Sequence, residues 1–330
     1  MIRARMTSGV VVVLGWVVIT AGAAAPVAAQ AISFVPVGSI TGPADLVKVQ
    51  GGYAYLAGEK TITVVDISNP AAPKRAGAYT FPEKIWGFRV VGSLVYVAAD
   101  FFGLGILDVS NAAAPTLVGR FKTPGQAKAV VVSGTRALVA DHMSGLDFLD
   151  VSNQAKPASL GSFFLEGYAR DVALSGTLAY AVDSPTGLYV LDFSKKDPLQ
   201  AVGTLQSASG RVIDVPESSS GTGPKVACVV GGAALQVFDV SNPAAPVLAS
   251  TFRTPGRPQR VAIKGALAYV ADGKEGLQVV DLSTPSAPRI VGAYKTTSLA
   301  RDVAVTDSLV FVIDGSGEGN GDVLILRQAP

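Results

Sequence analysis

A closed ring of seven four-stranded antiparallel sheets, an all-β propeller, is the fold that this 330-residue chain predicts. Three observations carry the prediction. A phrase of two hydrophobic residues, Asp, one hydrophobic residue and Ser recurs along the chain. Its aspartates are Asp66, Asp108, Asp150, Asp192, Asp239 and Asp281, in steps of 42, 42, 42, 47 and 42 residues. A fixed period of this size means that one supersecondary unit is copied along the chain. Each copy also carries strand signals only, as short runs of Val, Ile, Leu and Tyr bounded by Gly, Pro, Asn and Ser. Finally, the last copy lacks its fourth strand, and a strand of matching sequence precedes the first copy.

The elements follow in order. Residues 1–31 read as a signal peptide. Arg3 and Arg5 supply its positive start, Val10 to Ala25 its apolar stretch, and Ala23-Ala24-Ala25-Pro26-Val27-Ala28-Ala29 a small-residue region with cleavage expected after Ala29 or Ala31. The apolar stretch is shorter than the roughly 20 residues of a membrane-spanning helix. Export to a periplasmic, secreted or cell-surface location is therefore expected, with no integral membrane domain once the segment is removed.

Residues 32–330 are expected to form a single propeller domain of about seven repeats. The segment Phe34-Val35-Pro36-Val37-Gly38-Ser39-Ile40 resembles the fourth strands Pro288-Arg289-Ile290-Val291-Gly292-Ala293-Tyr294 and Pro115-Thr116-Leu117-Val118-Gly119-Arg120-Phe121. It is expected to complete the last blade and so remove an exposed sheet edge. The clearest repeat, residues 256–297, contains strand a (Gln259 to Lys264), strand b (Leu267 to Asp272), strand c (Leu277 to Leu282) and strand d (Arg289 to Tyr294). Six copies of this parse are complete, and a seventh runs from Leu299 through Asp314 to Arg327. A polar insert, Pro216 to Pro224, separates strands a and b of the fifth copy and accounts for the 47-residue step. A glycine-rich loop, Gly315 to Gly321, joins two strands with no helix after it, so it is not read as a phosphate cradle.

Composition narrows the function. Only 16% of residues are charged, while 36 glycines and 20 prolines supply the turns that many short strands require. Two of the 27 basic residues and none of the 25 acidic ones lie in residues 1–31, so the remainder is formally neutral. That removes any electrostatic case for nucleic acid. Cys228 is the only cysteine, which excludes an internal disulfide, and its setting Val226-Ala227-Cys228-Val229-Val230 reads as a buried strand.

The phrases Val64-Val65-Asp66-Ile67-Ser68, Ile106-Leu107-Asp108-Val109-Ser110 and Val279-Val280-Asp281-Leu282-Ser283 resemble the LVIVD-repeat family. So do the companions Leu267-Ala268-Tyr269-Val270-Ala271-Asp272 and Ser241-Asn242-Pro243-Ala244-Ala245-Pro246. The resemblance implies a β-propeller in an exported or surface-attached protein and brings no catalytic residues with it. The chain departs from the pattern at Phe193-Ser194-Lys195-Lys196-Asp197-Pro198 and at Arg327, which stands where the Asp of the seventh copy would fall.

Candidate functional residues gather where strands meet loops. The repeated c-strand aspartates, each followed by Ser, read as turn formers that bond nearby backbone N–H groups. A second set, Asp100, Asp141, Asp183, Asp272 and Asp314, ends strand b and reads as turn caps close to the central mouth. The start of strand a reads Asp45, Trp86, Lys128, Arg170, Arg211 as the candidate for blade five, Gln259 and Arg301. One aromatic and up to four cations at that level suit a carboxylate or another anion. The bland alternative is a solvated rim braced by Arg170–Asp183 and Arg301–Asp314 pairs. His142, the only histidine, sits in the loop between strands b and c of blade three. One histidine cannot supply a multi-histidine metal site, and no Gly-x-Ser-x-Gly elbow is present. Phe101 and Phe102 in the corresponding loop of blade two form either a contact patch or a local plug.

The expected function is a non-enzymatic, exported scaffold. It would bind a protein partner or a small anionic ligand through its loop face and central mouth, with Trp86, Phe101, Phe102, His142, Lys128, Arg170 and Arg301 as contacts. No catalytic residue and no cofactor is expected. The alternative is a hydrolase or lactonase-like enzyme with a metal at the tunnel mouth. Asp45, Asp171 and Asp302 are the acids available to it, and the Arg and Lys among them oppose a cation.

Overall fold

The computed structural model describes residues 31–185, 187–194, 200–206, 210–216, 225–317 and 321–329. Residues 1–30 of the expected signal peptide, the polar insert after Pro216, the altered turn of the fourth copy after Ser194 and residues 318–320 of the glycine-rich loop lie outside them. In chain order the strands begin with β1 (Phe34–Ile40). Blade one holds β2 (Leu46–Gln50), β3 (Tyr53–Gly58), β4 (Thr61–Asp66) and β5 (Lys74–Thr80). Blade two holds β6 (Gly87–Val91), β7 (Leu94–Ala99), β8 (Gly103–Asp108) and β9 (Thr116–Phe121). Blade three holds β10 (Ala129–Ser133), β11 (Arg136–Ala140), β12 (Leu146–Asp150) and β13 (Ala158–Phe163). Blade four holds β14 (Tyr168–Ser175), β15 (Leu178–Ser184), β16 (Gly187–Asp192) and β17 (Ala201–Gln206). Blade five holds β18 (Val212–Asp214), β19 (Val226–Gly231), β20 (Ala234–Asp239) and β21 (Val247–Phe252). Blade six holds β22 (Arg260–Lys264), β23 (Leu267–Ala271), β24 (Leu277–Asp281) and β25 (Arg289–Tyr294). Blade seven holds β26 (Ala300–Val305), β27 (Leu309–Gly315) and β28 (Gly321–Gln328).

These strands make seven four-stranded antiparallel sheets, and the fourth strand of blade seven is β1, in the order β1-β28-β27-β26. The expected closure by the N-terminal strand is therefore present. Phe34 pairs with Gln328 and Ile40 with Val323, and the amide of Ile32 also donates to the carbonyl of Val291 in blade six. The innermost strands β2, β6, β10, β14, β18, β22 and β26 each touch the next, and β26 returns to β2. The sheets thus form a closed ring around a channel.

Each blade is buried on both faces by its neighbours, so the second strands read as continuous apolar runs. Val226-Ala227-Cys228-Val229-Val230 in β19 is fully buried, for example, and burial pushes the Cys228 thiol well above the usual range. One hydrophobic cluster fills each seam between adjacent blades, from Leu46, Ile62 and Phe88 between blades one and two to Ile40, Val47 and Phe311 between blades seven and one.

The repeated phrase explains how the seams are held. Asp66, Asp108, Asp150, Asp192, Asp239 and Asp281 each accept a hydrogen bond from the amide of the Ser two residues on, at 2.8–2.9 Å. The Ser amide and then its hydroxyl hold Asp66 and Asp108 below the usual carboxylate range, and the Ser hydroxyl and then its amide do the same for Asp239 and Asp281. The turn so formed packs against the outer strand of the preceding blade at one glycine. A Cβ on Gly38, Gly77, Gly119 or Gly203 would fall inside the carbonyl oxygen of Pro70, Ala112, Gln154 or Pro243 in turn. Blade five carries Ser250 at this place, and its hydroxyl donates to the Pro285 carbonyl at 2.7 Å. Replacing Gly119 by Ala is expected to force the blade two–three seam apart at a cost of about 1–3 kcal/mol. A thermal midpoint unchanged in the Gly119→Ala variant would show that the seam yields freely.

Candidate functional site

The face on which strand a begins also carries the b–c loops and the connections from one blade to the next. Its register is set by the backbone. The amides of Asp45, Trp86, Lys128, Arg211 and Gln259 donate to the carbonyls of Ala57, Ala98, Ala140, Val230 and Ala271. Arg211 is thereby the blade-five member of the ring. Arg170 and Arg301 occupy the same level inside strand irregularities, between Ala169 and Asp171 and between Ala300 and Val303.

The acids ending strand b cap the incoming connections. Asp141, Asp183 and Asp272 accept from the amides of Gly125, Gly167 and Gly256, and Asp314 accepts from Thr297 and Ser298. Asp100 departs from this expectation. Ala99 holds the cap position in blade two, and Asp100 falls one residue later, in register with His142 and Gly273. All three bridge to the start of the next blade, at Ala127, Ala169 and Ala300. All three also have positive φ, 41° for Asp100, 52° for His142 and 59° for Gly273, as does Glu59 (46°), which holds the same position in blade one and accepts from the Ile85 amide. Glycine adopts that backbone freely, whereas Asp and His are strained there by about 1–3 kcal/mol. Blades one, two and three thus hold Glu59, Asp100 and His142 where blade six holds glycine.

Asp100 and His142 lie in one continuous patch. Trp86 Nε1 donates to Asp100 Oδ2 at 3.2 Å, and Lys128 Nζ stands 3.9 Å from Asp100 Oδ1. Lys128 and Lys84 place their ammonium groups 4.0 and 4.5 Å from the Trp86 ring centre, the geometry of cation–π attraction. In the next sector His142 stacks on Tyr168 with centroids 4.7 Å apart, and the Arg170 guanidinium lies 5.7 Å from the Tyr168 ring. Burial lowers the Lys128 pKa, with Asp100 opposing the shift. Burial first, then Arg170 and Lys128, lower that of His142, with Asp100 opposing the shift. Among the described residues, Asp100 Oδ1 and Arg170 Nε are buried yet make no hydrogen bond, a costly arrangement without a partner. Around them Trp86, Phe101, Met143, Phe164 and Tyr168 are exposed, Phe101 by 59% and Phe164 by 75%.

The structure therefore brings together Trp86, Phe101, Lys128, His142 and Arg170 from the expected contacts. It does not bring Phe102 or Arg301 to the patch. Phe102 is buried, edge-on to Phe81 at 5.5 Å and covered by the Arg120 guanidinium at 4.0 Å, because its side chain alternates away from Phe101 into the seam. Arg301 reaches Asp45 Oδ1 at 3.6 Å on the blade seven–one side, whereas Asp183 and Asp314 hold the loop amides. Lys84, Met143, Phe164 and Tyr168 went unrecognised in the sequence because they lie in the loops and just before strand a rather than at its aligned start. Exposed aromatic residues in connections rich in Gly and Pro are the signal that marks them. The acids of the metal alternative are each engaged by another group. Asp171 accepts from the Ile213 amide and Asp302 from the Val47 amide, while Asp45 faces Arg301. Among the described residues, no three His, Cys, Asp or Glu side chains form a metal-binding group.

Comparisons with known proteins agree with this architecture. The LVIVD repeat matches residues 41–80, 84–123, 124–164, 166–204, 225–254 and 255–296. The β-propeller domain of Cps50 (Swd1) from Myceliophteria thermophila superposes with a TM-score of 0.72 at 12% identity, over 89% of this chain and 99% of that one. The computationally designed Ika8 protein does so with a TM-score of 0.63 at 9% identity, over 90% and 99%. At these identities both likenesses concern the fold alone. No curated protein sequence matches the chain.

Proposed function

This chain belongs to the LVIVD-repeat family, and from that premise we propose that it is an exported, non-enzymatic propeller that binds a protein partner through the mouth face of blades two to four. The observation that carries the proposal is the placing of Asp100 Oδ1 and Arg170 Nε, buried without a hydrogen bond, inside one exposed aromatic patch that also holds His142. Buried polar atoms left unpaired are costly, and a partner that supplies the missing hydrogen bonds removes that cost. Aromatic anchors beside Arg are also the residues that dominate protein interfaces. The cations Lys84, Lys128 and Arg170 favour a partner surface that is apolar with acidic groups around it. The arrangement of residues 1–31 supports export.

Joint replacement of Trp86 and Tyr168 by Ala is expected to weaken partner capture by about 2 kcal/mol or more. Folding should be little affected, because the two rings are 38% and 42% exposed. The measurement is capture from cell-envelope extracts by the wild-type and doubly substituted proteins, with thermal midpoints as the folding control. A capture profile unchanged by the two substitutions would overturn the assignment of this face.

A further inference from the structure

The blade-three part of the mouth is the short hairpin from Asp141 to Gly145, which carries His142 and the exposed Met143. Three backbone bonds shape it. Asp141 donates to the Gly145 carbonyl, Ser144 to that of Asp141 and Gly145 to that of His142. Blade six builds the same hairpin from Asp272 to Gly276 with the same three bonds. There the root is fastened without a second acid. The Gln278 amide donates to the Glu275 carbonyl at 2.9 Å, and Asp272 accepts from the Thr254 hydroxyl and the Gly256 amide.

Blade three keeps the hairpin and changes the fastening. Asp147 stands in register with Gln278, so a second carboxyl faces Asp141. Asp141 Oδ2 still accepts from the Gly125 amide. Among the described residues, Asp141 Oδ1 and Asp147 Oδ2 are buried with no partner but each other, and Thr123 Oγ1, the counterpart of the Thr254 hydroxyl, is buried without a hydrogen bond. Two such carboxyls hold together only through a proton between them. Without it they repel, and a short hairpin with a solvent-exposed tip is the part of the blade that yields most easily. The Thr123 hydroxyl faces Asp141 and can bond it once Asp147 withdraws, as Thr254 bonds Asp272. The hairpin is also tied to blade four. The His142 carbonyl accepts from the Ala169 amide at 3.0 Å, and the His142 ring stacks on Tyr168. A change at the carboxyl pair therefore reaches the aromatic patch.

We infer that the Asp141–Asp147 pair is a proton-operated latch under the mouth: with one proton shared, it holds the blade-three hairpin and the His142–Tyr168 stack closed, and loss of that proton opens both. Burial, and then the charge of Asp141, push the Asp147 carboxyl up to about 7. The latch is therefore closed below that pH and open above it. The charged groups around the pair are Lys128, which Asp141 attracts, with Lys84 and Arg170 acting on Lys128 in turn. Those around His142 are Arg170, Lys128 and Asp100, and burial first and then the two cations lower its pKa, so it titrates on the acid side of the latch. As a control on partner capture the latch rests on the partner reading above. As a change of conformation it does not, and its test needs no partner.

His142 is the only histidine of the chain, so its ring gives one set of NMR signals. The test is the through-space contact between the His142 and Tyr168 ring protons in the purified, untagged protein at pH 6 and pH 8. With the latch set near 7, the contact is expected to fall about tenfold between the two. Asp147→Asn supplies a donor that does not titrate and is expected to keep the contact at both. Asp147→Gln, the residue type of blade six, gives the same reading if the Asn variant fails to fold. A contact undiminished at pH 8 in the wild type overturns the inference. So does a loss at pH 8 that persists when Asp147 is replaced, which makes another group the one that titrates.

Discussion

Deleting residues 31–40 is expected to abolish the soluble monomer. The segment supplies β1, whose six backbone pairings complete blade seven. It also places Ile40 in the seam with blade one and Phe34 against the seam with blade six. Three apolar side chains, those of Phe34, Val37 and Ile40, lose their packing, at about 1.5–3 kcal/mol each where burial is full. The loss, roughly 5 kcal/mol, is comparable with the whole stability of an ordinary domain. The deletion also leaves β28, with Leu324 and Leu326 along it, as an unpaired edge that other chains can join. Size-exclusion chromatography and thermal unfolding of the shortened chain are the measurements. A synthetic peptide covering Ile32 to Ile40 should restore part of the lost midpoint by adding a strand in trans. A shortened chain that stays monomeric with an unchanged midpoint would show that the ring closes without its last strand.

The second large effect concerns two buried carboxyls in blade three. Asp141 and Asp147 are 0% and 4% exposed, and their facing oxygens, Asp141 Oδ1 and Asp147 Oδ2, have no other hydrogen-bond partner. Two carboxyls in contact share a hydrogen bond only if one carries a proton. Burial, reinforced by the negative charge of Asp141, pushes Asp147 up to about 7 from an ordinary 3.8. Below about pH 4 the folded and unfolded chains are both protonated at this position, and the bond contributes fully. As the pH rises toward 7, the unfolded chain gives up the proton first, so the stability linked to it is lost, and above 7 the loss is complete. Asp147→Asn holds a donor in place at every pH. It is expected to match the wild type near pH 4 and to exceed it at pH 8 by on the order of 3 kcal/mol. For a domain of this size that is roughly 6 °C in the thermal midpoint. Blade six already carries the neutral solution, with Gln278 in register with Asp147 and its amide donating to the Glu275 carbonyl. A variant less stable than the wild type at pH 8 would show that Asp147 is ionised in the fold and usefully so.

The blade count, the strand parse and the closing strand were all legible in the linear chain, and for one reason. A propeller is built by repetition, so every blade must satisfy the same local demands. Val and Ile alternate where both faces are covered, Asp precedes Ser where a turn needs a capped amide, and Gly stands where that turn docks on the blade before it. Each demand recurs near every 42 residues and becomes visible by self-comparison. Half of the mouth was legible on the same grounds, because Trp86, Lys128 and Arg170 break the pattern at one aligned position.

The tertiary structure alone decided which of those departures meet. Phe101 and Phe102 are neighbours in sequence, yet strand alternation sends one to solvent and the other into the seam. Arg301 shares its level with Lys128 and Arg170, yet ring position gives it to Asp45. Asp100 reads as one more cap, yet a shift of one residue takes it into the strained loop beside Trp86. Repetition writes what every blade shares into the sequence, whereas function in a ring arises from contacts between unlike blades, and no period records those.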